Sequence, residues 1–237
     1  MRHLLTTLLS FTIIAFSFAQ TSTNSISLAV GPSFPNASFG SMDEYHYTSG
    51  FAKTGEHLNI CFEHKINTSF ALSAMLYGQA NPVNAKAFAT NFLGDYYSSH
   101  NYKFDKGRWL FTGLLVGGSN DIQIFKKQKN LFLNLKSLIG IVYGTGPKFN
   151  ITPSYSNSYI SFSSNSAFGP SYFLSGGLKY NFREKYFLVT NIQYLYVSEI
   201  KLNEKTSFNN PRYYPNTDHI TPQVSTTNVV VGIGLNL

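Results

Sequence analysis

The chain has 237 residues, of which only 12% are charged while 16% are aromatic, and its 18 Lys and Arg outnumber 11 Asp and Glu. A water-facing surface devotes roughly a quarter or more of its residues to charge, so this composition excludes an ordinary soluble exterior. The single cysteine, Cys61, excludes an internal disulfide framework, and its distance from the N-terminus excludes an N-terminal lipid anchor.

The chain opens on a short basic head, Arg2 and His3, followed by an apolar run from Leu4 to Phe18 and the small residues Ser17 and Ala19. This pattern predicts a secretory signal peptide over 1–19, cleaved between Ala19 and Gln20. Removing Arg2 with it leaves 17 basic against 11 acidic residues in a single domain over 20–237. No window approaches the ~20 apolar residues of a membrane-spanning helix, so any insertion is expected through strands.

Eight segments then alternate with a period of two, which puts successive side chains on opposite faces of a strand. In the first, Ile26, Leu28, Val30, Pro32 and Phe34 oppose Ser25, Ser27, Ala29, Gly31 and Ser33. The second sets Leu58, Ile60 and Phe62 against His57, Asn59, Cys61 and Glu63, and the third sets Phe70, Leu72, Ala74 and Leu76 against Ala71, Ser73, Met75, Tyr77 and Gln79. The fourth carries Leu110, Leu114, Val116, Ile122 and Ile124 on one side and Phe111, Leu115, Ser119, Asp121 and Gln123 on the other. In the fifth, Leu131, Leu133, Leu135, Ile139 and Ile141 oppose Phe132, Asn134, Lys136, Leu138 and Val142. The sixth and seventh put Tyr172, Leu174, Leu178, Tyr180 and Phe182, then Leu188, Ile192, Tyr194 and Tyr196, on their apolar faces. The eighth is the terminal strand, with Val229, Val231, Ile233, Leu235 and Leu237 on one face and Val230, Gly232, Gly234 and Asn236 on the other.

The apolar face is almost free of charge, whereas Glu63, Asp121, Lys136 and Lys179 all fall on the mixed face. Four charges cannot solubilise a barrel exterior, but they can line a narrow interior. The predicted fold is therefore all-β: an eight-stranded antiparallel up-and-down transmembrane β-barrel with its apolar face in lipid. A soluble lipocalin-like ligand carrier is the reading with the faces reversed.

The connections alternate in length. Lys65–Asn67, Lys126–Asn130 and Arg183–Lys185 are short and basic, as periplasmic turns would be, whereas roughly Asn36–Phe51, Asn81–Gly107, Pro147–Gly169 and Asn203–Pro222 are long and polar, as extracellular loops would be. Residues 83–93 have the composition of a short helical turn. Phe34, Phe62, Trp109, Tyr143, Tyr172, Phe182, Tyr186, Tyr194 and Tyr196 fall near strand ends, where an interfacial aromatic girdle is expected.

The segments Val30-Gly31-Pro32-Ser33-Phe34-Pro35, Gly50-Phe51-Ala52-Lys53-Thr54-Gly55, Gly78-Gln79-Ala80-Asn81-Pro82, Leu138-Ile139-Gly140-Ile141-Val142-Tyr143 and Val231-Gly232-Ile233-Gly234-Leu235 follow in order along the chain. In these the sequence resembles the porin-like small outer-membrane β-barrel proteins of Bacteroidota. The resemblance implies a location in the outer membrane and insertion by the barrel-assembly machinery, with Val229, Val231, Ile233, Leu235 and Leu237 as the terminal assembly strand. Such barrels usually finish on an aromatic residue, where this chain has Leu237. The family implies no agreed activity.

Catalytic signatures are missing: no nucleophile elbow, phosphate loop, zinc-protease motif or cysteine pair occurs. The glycine pairs of Gly144-Thr145-Gly146 and Gly232-Ile233-Gly234 lack a third glycine and a following helix, and are read as barrel glycines. His57, Cys61 and Glu63 share a face but span roughly 20 Å of strand, too far for one ion, so a lumen network is expected there. Asp43, Glu44 and His46 are read as a solvated loop tip before a cation site, and no cofactor or metal is assigned. His219 with Ser225 is the pair that a hydrolase reading would use.

The expected role is structural or interactive, with loops rich in Tyr, Asn and Ser contacting a surface ligand. A lipid-modifying enzyme of the outer leaflet is the alternative from another class. The expected partners are outer-membrane lipids and lipopolysaccharide, with no nucleic acid, and the chain is expected to be a monomer without an open channel.

Overall fold

Alternating burial along each segment shows how the period-two pattern becomes a closed wall. The computed structural model describes residues 24–42, 49–88, 102–126, 128–153, 160–198, 204–208 and 223–237. Eight long strands form the wall: β1 (Asn24–Pro35), β2 (Gly55–Lys65), β3 (Phe70–Pro82), β5 (Arg108–Phe125), β6 (Gln128–Thr145), β9 (Ser166–Asn181), β10 (Tyr186–Val197) and β12 (Val224–Asn236). They close in the order β1-β12-β10-β9-β6-β5-β3-β2, with neighbours antiparallel throughout. Closure pairs every ladder and leaves the wall without an edge.

The register brings like faces together. Leu28 lies opposite Ile60 and Ile233, Leu114 opposite Leu76 and Ile141, and Ile192 opposite Val229. All these side chains point outward and are exposed. A slip of one residue would turn the whole apolar set inward, so the pattern itself pins the register. At Gly140 the wall leaves no room for a side chain, because a Cβ would overlap the Leu114 carbonyl oxygen and stand 2.8 Å from Leu115 Cα. There the glycine is required by close backbone approach.

The three short connections are hairpins between β2 and β3, β5 and β6, and β9 and β10, all at one end of the barrel. At the Lys65–Asn67 turn, Asn67 Oδ1 accepts from the backbone N–H groups of Ser69 and Phe70 (2.9 and 2.7 Å), an Asx-type turn.

At the other end the long connections carry more structure than the sequence shows. The first contains a single helical turn, α1 (Ala37–Gly40). Of the helical turn expected over 83–93, residues 85–88 are helical, Val83 instead forms a β-bridge with Ala52, and 89–93 fall outside the described residues. The second, third and fourth connections, expected only as polar loops, supply four short strands: β4 (Tyr102–Phe104), β7 (Lys148–Pro153), β8 (Ile160–Ser164) and β11 (Glu204–Phe208). They form a separate antiparallel sheet in the order β11-β8-β7-β4. Three loops far apart in sequence are thereby tied into one platform beside the barrel mouth.

Candidate functional site

The outer wall carries a continuous apolar belt. Ile139 is 67% exposed, Ile192 63%, Val231 59% and Leu76 57%, and each sits on a different strand. A soluble monomer rarely exposes a contiguous apolar patch beyond about 300–600 Å², whereas this belt runs round the barrel. From Leu131 to Tyr143 the outward residues of β6 cover more than the roughly 9–11 residues that a tilted strand needs to cross a bilayer. Hydrocarbon is the solvent in which such a surface is stable, and the reversed, soluble reading is not the one the burial supports.

Aromatic side chains gather toward the belt's ends. Tyr172 stacks on Tyr196 with ring centroids 5.0 Å apart, Tyr143 meets Phe168 at 4.8 Å, and Phe182 stacks on Tyr186 at 5.9 Å near the turn end. Trp109 corrects the expected girdle. It is 3% exposed and faces the barrel interior, where its Nε1–H donates to the Gly50 carbonyl at 2.8 Å. The signal was present in the sequence, since Trp109 has the same parity as inward-facing Phe111.

Inside, side chains from opposite walls meet in three layers. Nearest the short turns lies an ionic chain: Lys136 Nζ is 2.8 Å from Glu63 Oε1, Lys179 Nζ 3.4 Å from Glu63 Oε2, and Lys179 Nζ 2.8 Å from Asp121 Oδ2. In the closed order β2 and β9 are diametrically opposed, so the Glu63–Lys179 contact spans the lumen. Ser25 Oγ donates to Glu63 (3.3 Å), Asn134 Nδ2 donates to Asp121 (2.6 Å), and Lys179 sits 4.5 Å from the Phe187 ring centroid. Two positive and two negative groups cancel, which makes their burial tolerable. All four charges expected on the mixed face enter this one network.

Above it lies an uncharged polar layer. Asn59 Nδ2 donates to His57 Nε2 (2.8 Å) and to Gln193 Oε1 (3.3 Å), and Thr226 Oγ1 donates to Gln79 Oε1 (3.1 Å). Tyr77 also donates to Gln79. The Asn59–Gln193 and Thr226–Gln79 contacts again join strands across the lumen. His57 and Glu63 therefore belong to different layers, and Cys61 faces Lys136 Nζ at 3.5 Å. Among the described residues no group of three or more His, Cys, Asp or Glu is placed to hold a metal ion.

The third layer closes the mouth. Phe39, carried into it by α1, is fully buried and packs edge-on against Trp109 (5.8 Å) and Phe111 (5.6 Å). Phe88 bridges Phe51 (5.4 Å) and Phe149 (5.2 Å), linking the first, second and third long connections. Ala37 and Phe51, on either side of this inserted segment, have φ of 46° and 50°. Left-handed backbone at non-glycine residues is costly and persists where the surrounding packing dictates it.

Of the other positions singled out, Ala19, Gln20, Asp43, Glu44, His46 and His219 lie outside the described residues. Ser225 is 5% exposed, and its hydroxyl donates to the Asn36 carbonyl at 3.2 Å. On β12, Val229, Val231 and Ile233 point outward and Leu235 lies half-buried between Ile26 and Tyr186, while Val230 is fully buried in the lumen; Leu237, just past the strand, is exposed.

No protein-family model matches the sequence, and no curated protein matches it. Among solved structures the chain is similar to a major outer membrane protein from Thermus thermophilus, with a TM-score of 0.52 and 13% identity over 90% of this chain and 98% of that one. The fold is that of an outer-membrane β-barrel. Neisserial surface protein A matches at a TM-score of 0.49 and 11% identity, covering 91% of this chain and 97% of that one. OprG of Pseudomonas aeruginosa matches at 0.47 and 12%, over the same shares. At these identities the likeness concerns the barrel alone.

Proposed function

We propose that the protein is an integral outer-membrane barrel, exported by a signal peptide cleaved after Ala19, that acts as a structural and surface-interaction element and neither conducts solutes nor catalyses a reaction. The observation that carries this reading is the pairing of a lumen crossed by side chains in every layer with a sheet assembled from three separate loops. A filled interior leaves the wall and the loops as the working surfaces. Loops bound into a sheet present a fixed backbone to a surface ligand at lower ordering cost than free loops.

The resemblance to the porin-like barrels of Bacteroidota belongs to the same proposal, as do a monomeric state, contact with lipopolysaccharide, and a terminal strand Val229–Leu237 read by the assembly machinery. Ser225 supports the reading without catalysis, because a buried hydroxyl engaged with Asn36 is not presented to a substrate.

The test is a strain lacking the protein, compared with the parent in adhesion, in resistance to detergents and in its lipid A mass spectrum. Reduced adhesion or envelope integrity with unchanged lipid A is the expected result. A lipid A species that disappears with the protein and returns only when both His219 and Ser225 are intact would overturn it in favour of an enzyme.

A further inference from the structure

The net charge of the barrel is not spread over it. The hairpin segments 65–67, 126–130 and 183–185, which take in the adjoining strand ends, contain six Lys or Arg and one acidic residue, Glu184. The lumen holds two of each sign. The remainder of residues 20–237 holds nine basic and eight acidic residues. Five of the six surplus positive charges over 20–237 therefore belong to these three segments.

Two features of the short-turn rim identify what it faces. First, each basic turn adjoins an exposed apolar side chain: Ile66 is 56% exposed beside Lys65, and Phe125 53% beside Lys126. Phe182 and Tyr186, both 41% exposed, bracket Arg183 and Lys185. Apolar anchors immediately next to long cationic side chains place the charges at the depth where hydrocarbon gives way to headgroups. Second, the three turns join β2 to β3, β5 to β6 and β9 to β10, so they occupy separate sectors of the circumference. A globular partner would meet one sector, whereas a ring of lipids meets all of them. Among the described residues no ion pair engages Lys65, Lys126, Arg183 or Lys185, while at the loop end Arg108 pairs with Glu56 at 3.2 Å.

We infer that the short-turn rim is a collar that binds the phosphate headgroups of anionic phospholipids in the leaflet it contacts. This rests on the membrane placement proposed above and adds lipid selectivity to it. Each cationic side chain near an anionic surface contributes roughly fivefold to association, attenuated by salt.

The full chain, refolded into phosphatidylcholine vesicles, is compared by electron paramagnetic resonance for its immobilisation of spin-labelled phosphatidylglycerol and spin-labelled phosphatidylcholine. The wild type is expected to select phosphatidylglycerol by at least about fivefold, with the preference shrinking in high salt. The variant K65Q/K126Q/K127Q/K129Q/R183Q/K185Q loses it, K53Q/K148Q at the loop end keeps it, and R183Q/K185Q, a milder change should the sextuple variant fail to fold, reduces it. Equal immobilisation of the two lipids by a folded wild type, or selectivity that survives in the turn variants, overturns the collar, as does co-sedimentation with peptidoglycan in place of lipid selectivity. A wild type that enters no vesicle overturns the membrane placement as well.

Discussion

Replacing Glu63 by Gln removes the one carboxylate that holds two lysines in the lumen. Glu63 is 4% exposed and lies within 2.8 Å of Lys136 Nζ and 3.4 Å of Lys179 Nζ. Lys179 keeps Asp121 at 2.8 Å, so Lys136 is the group left stranded, with only Cys61 Sγ at 3.5 Å and whatever the new amide oxygen offers. Breaking a buried pair by removing one partner costs about 3–5 kcal/mol, because the desolvated charge that remains has lost its compensation. Retention of size and of one acceptor in Gln puts the expected loss at about 3 kcal/mol. Trp109 is the sole tryptophan and lies in the mouth, so its fluorescence follows urea unfolding of the vesicle-bound barrel directly. The double variant E63Q/K136M removes the stranded lysine and is expected to be more stable than E63Q alone, a coupling that a double-mutant cycle isolates. A loss below about 1 kcal/mol, the range of solvent-exposed pairs, would mean instead that water screens these charges.

Other consequences follow from the wall and the plug. Ile139→Arg, at an outward position 67% exposed, is expected to cost about 2–4 kcal/mol of folding free energy in bilayers if it lies near the midplane, against about 0–1 for an equivalent change at the interface such as Ile66→Arg. Urea titrations of both variants in vesicles check the contrast. Phe39→Ala removes a fully buried ring from between Trp109 and Phe111 and is expected to destabilise by about 3–5 kcal/mol, with acrylamide then quenching Trp109 more strongly than in the parent. Gly140→Val forces a Cβ onto the Leu114 carbonyl oxygen and is expected to abolish formation of the folded, heat-shifted band on a denaturing gel, whereas Ser137→Val, on the lipid face, leaves that band intact.

The wall was legible because strand periodicity has only two outcomes per residue. Once Leu131, Leu133 and Leu135 share a face, the positions of Asn134 and Lys136 follow, and with them the placement of charge inside. Partners were not legible: the parity of Glu63, Asp121, Lys136 and Lys179 puts them in one lumen, but only closure in the observed order brings β2 opposite β9. The loop sheet was hidden for a different reason. Its strands have three to six residues, too few for a period to show, and β4 pairs with β7 across more than forty residues, with Phe104 opposite Ile151. Trp109 was misplaced because proximity to a strand end outweighed its parity with Phe111, and Phe39 gave no signal because its burial depends on a helical turn of four residues folding back into the mouth.

The alternating apolar face meets hydrocarbon and the mixed face does not. Nitroxide labels placed one at a time along residues 134–142 of β6, in a Cys61→Ser background and in vesicles, read it out through their accessibility to oxygen, which concentrates in lipid, and to a water-soluble nickel chelate. A two-residue alternation is expected, with oxygen accessibility high at Leu135, Ser137, Ile139 and Ile141 and the nickel chelate excluded from them. Labels at those four positions that are reached by the chelate and not by oxygen would contradict it.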